Sequence, residues 1–209
     1  MVVTLRIKLL NMSKKGIFYI VFFVALVSIF YLVIRKYIVP HNSLSTIQSF
    51  VFRNQDGKEV TNKDVEGKVY VAEFFFTTCK GICPRMNTNM KQVYEHFKNE
   101  KDFLILSHTS DPDNDTPQQL KKYADSMGVN TNQWVFLTGR KDSLYTMARV
   151  SYLIDDPSNN LKDIKDDFLH SQHWALVNKK GEVVGIYDGL LESEIKDMTR
   201  EAETLLKED

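Results

Sequence analysis

Residues 69–76 form an apolar run rich in β-branched and aromatic side chains, and this run restricts the possible folds more than any other feature. A strand of this composition is covered on both faces, which is typical of a central strand in an α/β sheet. The only two cysteines of the chain, Cys79 and Cys83, follow the run and precede Pro84. Pro84 suits the first helical position, because its missing N–H has no helical acceptor there. The cysteines are therefore predicted to lie between a central strand and a helix.

The rest of the pattern alternates between strands and helices. We predict a hairpin over residues 49–61, a helix from Pro84 to Phe97, a strand over 103–107, a helix over 117–127 that Gly128 ends, a short strand over 134–137, a helix over 142–149, a hairpin over 174–187 and a final helix over 190–207. This order predicts an α/β domain with a mixed central sheet, in which ligands bind at the carboxyl ends of strands.

Residues 16–34 carry no charge, and as a helix they would nearly span the ~30 Å hydrocarbon core of a membrane. A cleaved signal peptide and a buried core helix are the alternatives, but no small-residue cleavage site follows the run. The flank before the run is the more basic one, which places the N-terminus in the cytoplasm. We therefore predict a cytoplasmic N-terminus (1–15), a transmembrane anchor (16–34), a tether (35–47) and a folded domain (48–209) on the periplasmic or extracytoplasmic side of the cytoplasmic membrane.

The charges are distributed unevenly although the formal net charge is zero. Residues 1–40 hold six basic residues and no acidic one, which leaves 21 basic and 27 acidic residues in the remainder. A nucleic-acid-binding domain needs a basic surface to neutralise phosphates. The sequence therefore predicts no nucleic acid among the partners.

Three roles are open to the two cysteines. A structural disulfide suits an extracytoplasmic protein, but so small a loop would restrict the unfolded chain very little. A redox role is favoured by the helix N-terminus, which is expected to lower the pKa of Cys83, although three residues separate the cysteines instead of the usual two. A soft metal ion is the third possibility, because thiolates prefer Cu(I), zinc or iron–sulfur clusters. Two sulfurs exclude a four-cysteine site and require a further ligand, for which histidine is the natural candidate.

The chain contains five histidines, namely His41, His96, His108, His170 and His173. We predict that His41 lies in the tether and that His96 faces solvent. His108 ends a predicted strand near the expected site, and His170 and His173 precede the last hairpin. Sequence spacing alone only weakly favours His170 and His173 as candidates for the further metal ligand.

Two further patterns resemble ligand sets and are better explained by structure. Asp111, Asp113 and Asp115 match the first positions of a calcium loop, but the glycine and glutamate that this loop requires are absent. We predict a solvated turn that caps the following helix. Met86 and Met90 follow the cysteines at helical spacing and are predicted to be core residues.

The stretch FFFTTCKGICPRM resembles the copper-site motif of the Sco/SenC family of copper-binding, thioredoxin-like assembly factors. The segments FRNQDGKEV, DPDNDTP, WVFLTG and HSQHWALVNKKG are similar to further family motifs, in the family's order, over residues 48–205. The resemblance implies a thioredoxin-like fold with a mixed central sheet and an N-terminal hairpin, preceded here by the predicted transmembrane helix. It also implies one copper ion per chain, bound by Cys79, Cys83 and His170, because the family's ligand histidine lies eleven residues before the hairpin glycine, here Gly181.

The resemblance further implies a membrane-anchored copper chaperone, rather than an enzyme, that delivers copper to the Cu-A centre of cytochrome c oxidase. The implied partners are the oxidase subunit that carries this centre, an upstream copper donor and a thiol reductant. The alternative is a thiol–disulfide reductase that keeps the copper-ligand cysteines of the oxidase reduced, with Cys79 and Cys83 as its redox pair. Thioredoxin-like oxidoreductases place a cis-proline where this chain has His170, and the histidine favours metal binding.

Overall fold

The computed structural model describes residues 13–38, 43–155, 169 and 171–208, which belong to two compact units that divide between residues 41 and 42. The first unit contains helix α1 (Lys14–Ile38). Its side chains are described from residue 15 to residue 31, and the apolar ones among them are exposed. Within the described residues, no helix combines the length and apolarity needed to cross a membrane. The structure thus gives no support to the predicted transmembrane helix, which stays a prediction.

The second unit is built on a single eight-stranded sheet. Its strands are β1 (Ser45–Thr46), β2 (Val51–Asn54), β3 (Glu59–Thr61), β4 (Val69–Phe75), β5 (Phe103–Thr109), β6 (Trp134–Thr138), β7 (His173–Val177) and β8 (Glu182–Asp188). They are arranged in the order β1-β8-β7-β4-β5-β6-β2-β3. Strand β5 pairs in parallel with β4 and β6, whereas the other neighbours are antiparallel. The predicted mixed sheet is confirmed, with β4 at its centre.

The helices of this unit connect the strands much as the sequence predicts. They are α2 (Asn62–Val65), α3 (Cys83–Phe97), α4 (Pro117–Met127), α5 (Lys141–Thr146) and α6 (Glu192–Leu206), and a π-helical turn (Met147–Ser151) follows α5. Gly128 ends α4 in the left-handed region with φ 64°, where its N–H reaches the carbonyls of Ala124 and Asp125. A glycine adopts this conformation without the steric penalty of a Cβ.

Two elements were not predicted. Strand β1 lies within the predicted tether, so this part of the tether belongs to the sheet, where it pairs with β8. A two-residue strand is too short to show an alternating pattern. Helix α2 is a single turn with a capping box, in which the carboxylate of Asp64 accepts hydrogen bonds from the backbone N–H (2.7 Å) and the hydroxyl (2.8 Å) of Thr61.

Each face of the sheet carries its own core, and β4 supplies side chains to both. Val71 and Phe75 point to the face covered by α3, α4 and α6, whereas Tyr70 points to the face covered by α5 and the π-helical turn. This alternation is the normal period of two in a strand. Cys83 belongs to the first core, and Glu73 has the same strand parity as Val71. The dithiol is therefore associated with one defined face of the sheet.

Candidate metal centre

The two cysteines lie where the sequence predicts, between the end of β4 and the start of α3. Cys79 is half-buried in the connecting loop, and its N–H donates to the carbonyl of Phe76 at 3.2 Å. Cys83 is the first residue of α3 and is only 5% exposed. Pro84 follows it within the first turn, as its missing N–H allows. The loop thus brings one accessible and one buried thiol to the carboxyl end of the central strand.

Both cysteines have free thiols, but the environments of the two thiols differ. Burial opposes the ionisation of Cys79, yet a hydrogen bond from the Cys83 thiol and bonds from the backbone N–H groups at positions 81, 82 and 83 outweigh it and lower the pKa. The pKa of Cys83 is raised to about 12, mainly by burial and in part by the neighbouring Cys79. The prediction that Cys83 is the activated thiol is therefore wrong, because the amide groups of the turn stabilise charge on Cys79 instead.

A fully buried carboxyl group lies beneath this dithiol. Glu73 accepts a hydrogen bond of 2.6 Å from the hydroxyl of Ser107, which in turn accepts one of 2.7 Å from the indole of Trp134. The other carboxyl oxygen has no hydrogen-bond partner among the described residues, although the indole of Trp174 is close enough to favour the ionised form. Burial outweighs both effects and raises the pKa of Glu73 to about 7.

Glu73 acts on the dithiol through its charge, which contributes to the raised pKa of Cys83. Sequence reasoning missed this residue, because it was counted as part of the apolar run of β4. The signal was nevertheless present, since Glu73 is the only charged residue between positions 69 and 76. A carboxyl group inside an otherwise apolar central strand is a common sign of a functional site.

The segment that contains the predicted third ligand borders the same region as the dithiol. A cleft of about 600 Å³ is lined by Ile82, Leu153, Ile154, Asp155, Ser171, Gln172, His173 and Ile186. Ile82 lies between the two cysteines in sequence, and Ser171 and His173 both follow position 170. His173 itself is exposed at the start of β7. His170 lies outside the described residues, so its assignment as a ligand stays a prediction.

Neither His96 nor His108 is brought to the dithiol. His96 is exposed and lies 2.7 Å from a carboxylate oxygen of Glu203, so the prediction that it faces solvent is confirmed. His108 is fully buried on the opposite face of the sheet, where its ring stacks on Phe74 with centroids 5.0 Å apart. Burial lowers the pKa of His108 to about 4. His41 lies outside the described residues.

The two other candidate patterns have different outcomes. Met86 and Met90 are buried in the first core, with at most 1% exposure, and their assignment as core residues is confirmed. Thr116 caps helix α4 through its hydroxyl, as the predicted turn requires. Asp115 is 1% exposed, however, and is not part of a solvated turn.

The donor atoms of the described residues supply part of the ligand set that a soft metal ion needs. No cluster of three or more histidine, cysteine, aspartate or glutamate side chains is arranged to hold a metal within residues 13–38, 43–155, 169 and 171–208. The two sulfurs supply two ligands of a kind that Cu(I) prefers, and a further ligand must come from another part of the chain or from a partner. An α/β domain with a mixed sheet and with such a dithiol between the central strand and a helix defines a thioredoxin-like protein.

Comparison with known proteins narrows this class to a family. The sequence pattern of the SCO1/SenC family matches residues 40–207, so the chain belongs to the SCO1/SenC family. The SCO1 protein homolog of Bacillus subtilis is 34% identical over 148 residues, which cover 69% of this chain and 74% of the relative.

Two solved structures show the same architecture. BsSco, described as a member of the Sco family of cytochrome c oxidase assembly proteins with a disulfide switch, is 30% identical with a TM-score of 0.67, covering 80% of this chain and 98% of that one. Arabidopsis thaliana ScoI, solved with copper bound, is 24% identical with a TM-score of 0.59, covering 78% of this chain and 99% of that one. At this lower identity the second structure shows the shared fold.

Proposed function

We propose that this chain is a copper chaperone that binds one copper ion as cargo through Cys79, Cys83 and His170 and delivers it to the Cu-A centre of cytochrome c oxidase. The observation that carries the proposal is the pair of free thiols between the end of β4 and the start of α3. Thiolates are preferred ligands of Cu(I). The fold is shared with ScoI, which was solved with copper, and with BsSco, which belongs to a family of oxidase assembly proteins.

The different environments of the thiols suggest how copper would be taken up. Cys79 has the lower pKa, so it ionises more readily and supplies the first thiolate. Cys83 keeps its proton in the absence of metal, because burial raises its pKa to about 12. Each thiol must lose its proton to become a ligand, so copper affinity should increase with pH.

His170 is proposed as the third ligand on the basis of the family-like spacing to Gly181 and the position of the neighbouring residues. The N–H of Leu169 donates to the hydroxyl of Tyr145 at 3.1 Å. The hydroxyl of Ser171 donates to the carbonyl of Ile154 at 2.6 Å. The residues on both sides of His170 are thus fixed to the domain, and Ser171 borders the cleft that reaches Ile82.

Copper titration of the reduced chain tests this proposal. We expect one copper per chain, with two sulfurs and at least one imidazole nitrogen in its first shell by X-ray absorption. Binding should disappear once Cys79 and Cys83 form a disulfide, because thiolates are the ligands. A first shell without sulfur would rule out the proposed site.

His170→Ala and His173→Ala form a matched pair of variants for the third ligand. Loss of His170 would remove a metal–nitrogen bond, whereas loss of an outer residue typically costs about 10–100-fold in affinity. His170→Ala should therefore weaken copper binding far more than His173→Ala, with folding unchanged by circular dichroism. Equal affinities, or a larger loss with His173→Ala, would show that the ligand is assigned incorrectly.

A thiol–disulfide reductase is the second candidate function, and the difference between the thiols favours it. An accessible thiol with a lowered pKa beside a buried thiol with a raised pKa suits attack by one and resolution by the other. His170→Ala separates the two functions, since it should abolish copper binding and leave dithiol exchange largely intact. Loss of both activities in this variant would show that the two roles share the histidine.

We also propose that residues 16–34 anchor the protein in the cytoplasmic membrane, with the domain on the extracytoplasmic side. The support is the uncharged run in the sequence and its more basic N-terminal flank. The full-length protein should then stay with membranes after an alkaline wash, and external protease should remove the domain. Recovery of a mature form without residues 1–40 would contradict the anchor.

A further inference from the structure

Asp115 is a buried carboxylate in the loop between β5 and α4 and is only 1% exposed. Among the described residues it forms no salt bridge, and its partners are hydrogen-bond donors from two threonines. Thr77 donates its hydroxyl at 2.5 Å and its backbone N–H at 3.1 Å, and Thr109 donates its hydroxyl at 2.5 Å. Burial of a carboxylate is unfavourable unless such bonds replace water. The two hydroxyl bonds are short, whereas the bond from the backbone N–H has an ordinary length.

Two of the three donors belong to Thr77, which is two residues before Cys79. The hydroxyl of Thr77 donates a hydrogen bond to Asp115 and accepts one from the side-chain amide of Gln119 at 3.3 Å. It therefore acts as both a donor and an acceptor. Thr109 lies in β5 and Gln119 lies in the first turn of α4. Asp115 therefore connects the start of the dithiol loop, defined as residues 76–82, to the neighbouring strand and helix.

The position of Thr77 affects the sulfur of Cys79 through a short turn. The sulfur lies against the backbone N–H groups at positions 81–83, and a Cβ placed on Gly81 would be 4.0 Å from it. A shift at Thr77 would move Cys79 relative to these groups and to Cys83. Asp115 touches neither sulfur, so it could influence them only by holding the loop.

We propose that Asp115 is a positioning residue that fixes the dithiol loop in the geometry needed to place both sulfurs on one copper ion. The copper-affinity part of this inference rests on the proposed function. The order of the loop can be measured without copper. Loss of the Asp115 bonds should let the loop open locally while the sheet stays intact. Copper binding would then weaken although every ligand is still present.

The test uses the reduced full chain and four variants. Asp115→Asn removes the charge and places an amide N–H group among three donors, and Thr77→Val removes one hydroxyl donor at nearly constant shape. Thr77→Ser retains the hydroxyl and should restore the wild-type behaviour. Asp64→Asn is the matched control, because Asp64 also accepts from the N–H and hydroxyl of one threonine but lies at the capping box of α2.

Two measurements are made on each variant: Cu(I) affinity by competition with a chromophoric Cu(I) chelator, and hydrogen exchange of the backbone amides. Asp115→Asn and Thr77→Val should lower Cu(I) affinity by about 10–100-fold, as outer residues of metal sites typically do. Exchange should become faster in the dithiol loop and stay unchanged in β4. Thr77→Ser and Asp64→Asn should resemble the wild type in both measurements.

Each outcome distinguishes the positioning role from the proposed function. If the wild type binds no copper, the proposed function fails, and loop exchange still decides the role of Asp115. Unchanged copper affinity and unchanged loop exchange in Thr77→Val and Asp115→Asn would overturn the positioning role. It would also be overturned if Asp64→Asn weakened copper binding equally or if Thr77→Ser failed to restore it. If Asp115→Asn does not fold, Thr77→Val decides, because it leaves two of the three bonds in place.

Discussion

The buried carboxyl group of Glu73 allows a quantitative prediction, namely that Glu73→Gln will stabilise the domain at alkaline pH. Burial raises the pKa of Glu73 from its ordinary value of 4.5 to about 7 in the folded state. Between these pH values the folded state binds the proton more tightly than the unfolded state. The contribution to stability is therefore fully present below pH 4.5 and is lost as the pH rises through 7.

The size of the effect follows from the pKa difference. The pKa of Glu73 differs by about 2.5 between the folded and unfolded states, and each pKa unit corresponds to 1.36 kcal/mol, which gives roughly 3 kcal/mol. Glutamine resembles the protonated acid, and its carbonyl can still accept the hydroxyl bond from Ser107. The free energy of unfolding of Glu73→Gln relative to the wild type should therefore rise by roughly 3 kcal/mol between pH 4 and pH 8.5.

Urea denaturation at several pH values measures this difference. Both proteins should carry serine at positions 79 and 83, so that thiol titration does not contribute. His108 lies on the other face of the sheet, and its contribution cancels in the comparison. Glu59→Gln, an exposed glutamate in β3, is the control for loss of a negative charge. A relative stability that stays constant with pH, or falls as the pH rises, would refute the assignment of Glu73 as a destabilising buried charge.

Three further predictions concern the dithiol and the two cores. Iodoacetamide at pH 7 should modify Cys79 before Cys83 in the reduced chain, because hydrogen bonds lower the pKa of the first thiol and burial raises that of the second; peptide mass spectrometry after brief labelling gives the order, and the reverse order would contradict it. The ring of His108 should stay neutral down to about pH 4, and an NMR titration of the folded protein checks this. The histidine of the unfolded state is protonated near pH 6.5. The free energy of unfolding should therefore fall by about 3 kcal/mol as the pH drops from 6.5 to 4. Gly189→Ala should destabilise the domain by about 1–3 kcal/mol in urea, because a Cβ there would lie 2.4 Å from the buried ring of Trp174; a change below about 0.5 kcal/mol would disagree.

Most of the fold could be predicted because its signals are local. The apolar run of β4, the periodic apolar positions of α3 and the Gly128 stop signal each indicate an element without knowledge of its neighbours. The predicted helix over 142–149 changes instead to a π-helical turn at Met147. This change and the two-residue strand β1 depend on tertiary pairing, which no local pattern encodes.

The site was only partly predictable for a similar reason. The sequence places Cys79 and Cys83 correctly, because a strand end and a helix start are local features. Which thiol is stabilised as a thiolate depends on where each sulfur points. Glu73 is buried on one face of the sheet, and Asp115 is buried against Thr77, which is distant from it in sequence. Spacing along the chain contains no information on these directions.

The two edges of the sheet limit how a partner protein could be recognised. Its outermost strands are β1 and β3, which are two and three residues long. An added strand from a partner needs a longer row of unpaired backbone groups, and short edge strands also protect a sheet against aggregation. Strand addition is therefore a poor mode of docking for this domain. Recognition by side chains and loops at the carboxyl end of β4, beside the dithiol, would couple the choice of partner directly to the copper transfer proposed for this chain.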